Sequence, residues 1–232
     1  MIDNRRRENG EDKPTAVSEE KEKKKKSEKD WERQKKIGKH VKTEKEEILV
    51  HACCAPCSTY VIDTLSDVYN VTTLFYNPNI QPEKEYNKRL NEMERLCDIK
   101  KTELLVVDYD ADHWCDCIRG FEDTPEGGER CGLCFEIRLL KTAEIAAERG
   151  WKKIATSLSV SPHKNAHIIN SVGKRVSERF GMGFLESDFK KNDGYRKSCE
   201  LSRLYGLYRQ KYCGCRFSME LKAKHVDGKK GK

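Results

Sequence analysis

The chain has 232 residues, a formal net charge of +7, and 37% charged against 36% hydrophobic residues. That length suffices for one full core plus an extension, and no stretch approaches the ~18 consecutive apolar residues of a membrane span. Eleven cysteines follow a start, MIDNRRRENGEDK, without the apolar centre of a secretory leader. The expected setting is therefore cytoplasmic and reducing, where clustered thiols serve metal or redox chemistry rather than a disulfide framework.

Residues 1–46 carry 16 Lys and Arg against 12 Asp and Glu and almost no aliphatic residues. They are expected to form a disordered charged tail, either a basic arm for nucleic acid or a merely solvated segment. Residues 47–218 read as a single α/β domain and 219–232 as a basic, frayed tail.

Within the domain the pattern alternates. Strand-like ILVHA leads to a helix from Ser58, then to the strand VTTLFYN. A second helix, EKEYNKRLNEMERLC, sets Tyr86, Leu90, Met93 and Cys97 on one face. The strand TELLVVDYD precedes a stretch from Ala111 to Arg130 expected to be irregular. Next come the helix FEIRLLKTAEIAAERG, ended by Gly150, and the strand KIATSLSV. The turn SPHKN opens the helix NAHIINSVGKRVSERFG. A short strand near MGFLE and a helix over 195–212 complete the series.

Such alternation implies a Rossmann-like, mainly parallel sheet with helices on both faces. Ligands then bind beyond the C-terminal strand ends, where HACCAPC, YNPNIQP and SVSPHKN would all lie.

The cysteines fall into groups. Cys53, Cys54 and Cys57 share the first of these loops, and Cys131 and Cys134 form C-x-x-C at a helix start. Cys213 and Cys215 form C-x-C after the last helix, and Cys115 and Cys117 form a second C-x-C with no evident placement. Four thiolates from two such loops suit either tetrahedral zinc or an iron–sulfur cluster. Adjacent Cys53 and Cys54 fit one compact zinc knuckle poorly, but they can reach two irons, or a cluster and a separate metal. Cys97 and Cys199, inside helices, read as small buried hydrophobes.

HACCAPCS, FYNPNIQPEKEYNKR, PEGGERCGLCFEIRL, SLSVSPHKN and DFKKNDGYRKSCELSRLYGLYRQKYCGC, in that order, resemble the QueH family of epoxyqueuosine reductases. The resemblance runs from about Glu47 to about Ser218. It implies an enzyme of tRNA modification that reduces epoxyqueuosine in the anticodon loop to queuosine without cobalamin. It further implies a [4Fe-4S] cluster on Cys53, Cys54, Cys131 and Cys134, a redox-active pair Cys213 and Cys215, and an external electron donor.

Turning an epoxide into an alkene removes oxygen as water and takes two electrons and two protons, whereas a cluster delivers electrons singly. A second centre is therefore expected. One form is an additional iron held by Cys215 with Cys213, Cys57 or a carboxylate, acting as a Lewis acid. The other is a Cys213/Cys215 dithiol that ends as a disulfide.

His163 and Lys164, at a helix start, fit either a phosphate contact or ordinary capping. Tyr76 and Asn77 fit either contacts to a splayed base or turn chemistry. His51 is a weak candidate proton donor, and Asp188, Lys190, Lys191 and Arg209 are neighbours without a role. Two other functions share features of the chain: a zinc-stabilised RNA-binding module, and a nucleotide-dependent tRNA sulfur transferase. CCAPCS lacks the glycines that the latter's phosphate loop needs.

Overall fold

A computed structural model of the protein describes residues 45–219. The charged tails expected at both ends lie outside them, except that Lys45, Glu46 and Met219 are described. Strand β1 (Glu46–His51) begins two residues before the expected ILVHA. Glu46 pairs with Tyr69 in the ladder, and its carboxylate meets Lys153 Nζ at 2.6 Å.

The remaining elements are α1 (Ala55–Ser66), β2 (Tyr69–Phe75), α2 (Glu83–Lys100), β3 (Glu103–Val106), α3 (Ala111–Cys117) and α4 (Glu129–Glu148). After these come β4 (Lys153–Thr156) with a 3₁₀ turn (Ser157–Val160), α5 (Ala166–Arg179), β5 (Gly183–Phe184) and α6 (Gly194–Leu204). The sheet runs β3-β2-β1-β4-β5, and every pairing among the described residues is parallel.

Successive strand residues point to opposite faces, and the central strands use both. Leu49, Leu74 and Ile154 meet Leu139 and Ala143 of α4 and Ile169 and Val172 of α5. Ile48, Val50 and Ala155 meet Val61 and Leu65 of α1 on the other face. Phe75 packs there too, with Ile62 of α1 and Tyr86, Met93 and Leu96 of α2.

Several expected elements end elsewhere. The stretch from Ala111 is not irregular throughout: α3 forms there, with the Asp110 side chain accepting from His113 N. Helix α1 starts at Ala55, with Pro56 in its first turn, where the absent N–H costs nothing. Strand β4 stops at Thr156 because the Thr156 hydroxyl accepts from Leu158 N and turns the chain into the 3₁₀ segment. β3, an edge strand, stops at Val106 rather than Asp110. Helix α6 ends at Leu204, not Tyr212, because Gly206 adopts φ +60 and breaks it.

The strand order reverses about β1, whose neighbours are β2 and β4. The loops leaving β1 and β4 therefore diverge from the switch point where such sheets bind ligands.

Candidate metal centre

The loop after β1 is rigidly held. His51 is fully buried, with Nε2 3.1 Å from the Tyr76 carbonyl and Nδ1 3.0 Å from Thr156 Oγ1. A carbonyl only accepts, so Nε2 carries the proton and Nδ1 accepts from the hydroxyl. Burial, with Arg138 nearby, lowers the His51 pKa to about 3. His51 is thus a neutral brace between strands rather than the proton donor considered from the sequence.

Asn77 Nδ2 donates to the Ala52 carbonyl at 2.9 Å, and Cys53 N donates to Ser157 Oγ at 2.9 Å. The Ser157 hydroxyl in turn donates to Cys53 Sγ at 3.3 Å. The two loops at the switch point are therefore stapled together at Cys53.

Cys54 occupies the N-cap of α1 and Cys57 its first turn, so the helix start folds Cys57 back over the adjacent pair. The three sulfurs of Cys53, Cys54 and Cys57 lie within 4.8 Å of one another, a group that could hold a metal ion. Proton donation from Cys54 and Cys57, helped by Lys164 and Ser157, holds the Cys53 thiol well below its ordinary range despite burial. Donation to Cys53 raises Cys54 to about 11 and pushes Cys57 well above its usual value. The trio thus favours its negative charge on Cys53, with Cys54 and Cys57 holding the protons that a soft cation would displace.

The second pair sits at the start of α4. Gly127, at φ +91, makes a turn that a side chain would strain, and its N–H donates to Cys131 Sγ at 3.2 Å. Arg130 is buried, donates to the Phe121 and Glu122 carbonyls, and lies 4.5 Å from the Phe217 ring centroid. Cys134 faces a small core with Trp114, Ile118 and Cys215, which joins the C-x-x-C to the C-x-C.

The C-x-C turn is strapped from outside. Buried Arg89 on α2 forms an ion pair with Glu85 at 2.7 Å and donates to the carbonyls of Cys213 at 3.0 Å and Tyr212 at 3.4 Å. Gln81 N donates to the Gly214 carbonyl at 2.8 Å, and the Tyr212 hydroxyl donates to that of Gln81 at 2.7 Å. Gly214 sits at φ +125, and a Cβ there would come within 2.9 Å of Ile80. The sulfurs of Cys213 and Cys215 are 3.5 Å apart. Sharing a proton with Cys215 lowers Cys213 to about 5, and Cys215 is raised correspondingly.

One cleft of about 580 Å³, its open mouth included, is lined by Cys131, Cys134, Cys213, Cys215, Arg138 and Lys164. Burial opposes the Lys164 charge, but the charges of Cys53 and Cys57, with Cys213 adding, outweigh it and raise its pKa. This lysine therefore senses the thiols of two segments, the loop after β1 and the C-x-C turn, and lines the same cleft as Cys131 and Cys134. Helix α5 is capped by Asn165, whose side chain accepts from His167 N and Ile168 N. His163 is exposed at the mouth, beside Asn165.

The other expected residues lie as follows. Tyr76 and Asn77 are buried under the loops and do not line this cleft. Asp188 pairs with Lys190 at 3.1 Å along a shallower groove, and Arg209 donates to Ser202. Cys97 is core, 3.3 Å from Thr73 Oγ1, and Cys199 is half-buried on α6. On α3, Cys115 lies 3.5 Å from Gln81 Nε2, and Cys117 is exposed. Arg89, Arg138, Trp114 and Asn79 went unnoticed in the sequence. For Trp114 the signal was present: Asp110 three residues before His113 marks a helix start ahead of it.

A family model described as "Epoxyqueuosine reductase QueH" matches residues 48–221. The chain is 42% identical to the epoxyqueuosine reductase QueH of Streptococcus pyogenes, over 75% of this chain and 71% of that one. It is 35% identical to the protein of the same name from Thermotoga maritima, over 78% and 94% respectively. Among solved structures, the U34-tRNA thiolase NcsA from Methanococcus maripaludis with its [4Fe-4S] cluster superposes at TM-score 0.50 and 14% identity. That match covers 79% of this chain and 65% of the other, and at such identity it speaks for the fold alone. By the family match and the relatives that cover most of its length, the chain belongs to the QueH family of epoxyqueuosine reductases.

Proposed function

We propose that the protein reduces epoxyqueuosine in tRNA to queuosine, removing the epoxide oxygen as water with two electrons from an external donor and two protons. The observation that carries this reading is one cleft lined by Cys131, Cys134, Cys213, Cys215 and Lys164, the lysine also feeling the charges of Cys53 and Cys57 in the three-cysteine group.

In this reading Cys53, Cys54, Cys131 and Cys134 hold a [4Fe-4S] cluster, and Cys213 and Cys215, with Cys57, hold an additional iron. The donor set fits soft or borderline iron: sulfur ligands only, with the thiols of Cys53 and Cys213 both held below their ordinary range. When bound, the cluster supplies electrons one at a time and the further iron a Lewis acid.

The protein's own part is geometric and electrostatic. Ser157 fixes Cys53, Arg89 fixes the C-x-C turn, and half-buried Lys164 keeps a proton on Nζ, balancing the negative charge of Cys53, Cys57 and Cys213. The buried Tyr76 and Asn77 brace the loop that carries Cys53, whereas His163 and Lys164 stand where the anticodon loop would enter. The zinc-stabilised module without redox activity shares the thiols, but it gives no reason for the half-buried Lys164 in the cleft.

Incubating the anaerobically reconstituted protein with tRNA containing epoxyqueuosine and a low-potential reductant tests the reading. Conversion of the nucleoside to queuosine, seen by mass spectrometry of the digest, is the expected result. An intact, fully iron-loaded protein that leaves the nucleoside unchanged under a range of reductants overturns it.

A further inference from the structure

Two polar groups on the cleft wall are left over once its other hydrogen bonds are assigned. Trp114, on α3, is 1% exposed, and its Nε1–H has no acceptor among the described residues. Asn79, in the loop after β2, is 2% exposed, and its Oδ1 has no donor there. Both line the cleft that Cys134, Cys213 and Cys215 line. The neighbouring cations differ: Arg130 donates to two carbonyls and Arg138 Nε to that of Cys134. Folded proteins rarely leave a buried donor or acceptor unmet unless a ligand meets it.

Their positions make them a pair. The Trp114 ring belongs to the same small core as Cys134 and Cys215. The Asn79 amide nitrogen lies 3.3 Å from where a Gly214 side chain would begin. The two groups therefore flank the C-x-C turn, one offering a donor and the other an acceptor. A hydroxyl group both accepts and donates, and it is the ligand chemistry such a pair matches.

We infer that Trp114 and Asn79 recognise the hydroxyls of the substrate's epoxycyclopentane ring. Trp114 Nε1–H donates to one hydroxyl oxygen, and Asn79 Oδ1 accepts the proton of a hydroxyl. This assignment rests on the reductase reading and deepens it. The hydroxyls sit on other carbons of the same rigid ring and are not themselves cleaved, so holding them fixes the epoxide against the C-x-C turn, which is how binding energy orients a reacting group. It also gives α3 a role: the helix places an indole in the wall, while Cys115 and Cys117 stay outside the lining.

The test compares Trp114→Phe, which keeps an aromatic ring and removes the N–H, and Asn79→Leu, which removes the acceptor at similar size. Iron-loaded proteins are assayed for kcat/KM on epoxyqueuosine tRNA. Binding is measured to tRNA carrying queuosine, which retains the diol, and to tRNA carrying the deazaguanine without the ring. Each variant is expected to lose about ten- to a hundredfold in kcat/KM. Each is also expected to lose the preference for ring-bearing tRNA, with iron and sulfide content unchanged. Since the removed groups are unmet in the free protein, thermal stability should hold or rise. A kcat/KM within twofold of wild type, or a loss that tracks falling iron content or melting temperature, overturns the inference. Wild-type protein that reduces no epoxyqueuosine defeats the reductase reading itself, a different outcome.

Discussion

Arg89→Met removes the strap on the C-x-C turn while keeping a long apolar stem. Arg89 is 2% exposed and serves Glu85 and the carbonyls of Cys213 and Tyr212. Deleting one partner of a buried ion pair costs about 3–5 kcal/mol, because the other charge is left behind. Glu85 keeps 13% exposure and a hydrogen bond from the Tyr208 hydroxyl at 3.3 Å, which places the cost near the lower end. Urea unfolding of the metal-free protein, with a slope of about 2 kcal/mol per molar, should then show a midpoint lower by roughly 1.5 M. Arg89→Lys keeps the charge without the fork and should fall between the two. The reconstituted Arg89→Met protein should also lose iron bound at Cys213 and Cys215 before it loses cluster sulfide. A stability change below about 1 kcal/mol, with unaltered iron content, refutes the idea that Arg89 positions this turn.

Three further outcomes follow from the same geometry. Gly214→Ala forces a side chain into a left-handed position against Ile80. It should lower activity at least tenfold, with loss of iron rather than of secondary structure by circular dichroism. In the metal-free protein, alkylation of Cys213 should titrate with a midpoint near the depressed value of about 5. Lys164→Met should raise that midpoint and Lys164→Arg should not, as peptide mass spectrometry can read; equal midpoints contradict the assigned role of Lys164. His51 stays neutral when folded, with a pKa of about 3, so the unfolded chain binds the extra proton below pH ~6.5. Its contribution is complete above that pH and is lost as the pH falls toward 3, at up to about 1.4 kcal/mol per pH unit. Stability of metal-free His51→Asn measured across this window should show a flatter slope, and an unchanged slope contradicts the neutral, buried assignment.

The expectations that held rest on local signals. Apolar runs followed by sulfur-dense loops place HACCAPC at a strand end, and alternation of strands and helices gives the parallel sheet. Side-chain spacing could not show that Arg89 is buried while Leu90, one position on, is only half-buried. The guanidinium is satisfied by carbonyls more than 120 residues later in the chain, and no window on α2 contains them. Helix α3 went unread because its seven residues, ADHWCDC, have a single large apolar side chain and so no stripe. Helix α6 was read too long, although Gly206 two residues past its end was a legible stop. Sequence alone leaves Lys164, at a helix start, as either a phosphate contact or part of ordinary capping. Asn165 takes the capping role, and the lysine feels the charges of thiols that the sequence places in two distant segments.

Iron and acid-labile sulfide, counted per chain in anaerobically purified wild type and Cys213→Ser, test the central claim most directly. The predicted result is brown protein with about four sulfides in both, and roughly one iron fewer in the variant than in wild type. Colourless wild-type protein carrying stoichiometric zinc in place of iron contradicts the account.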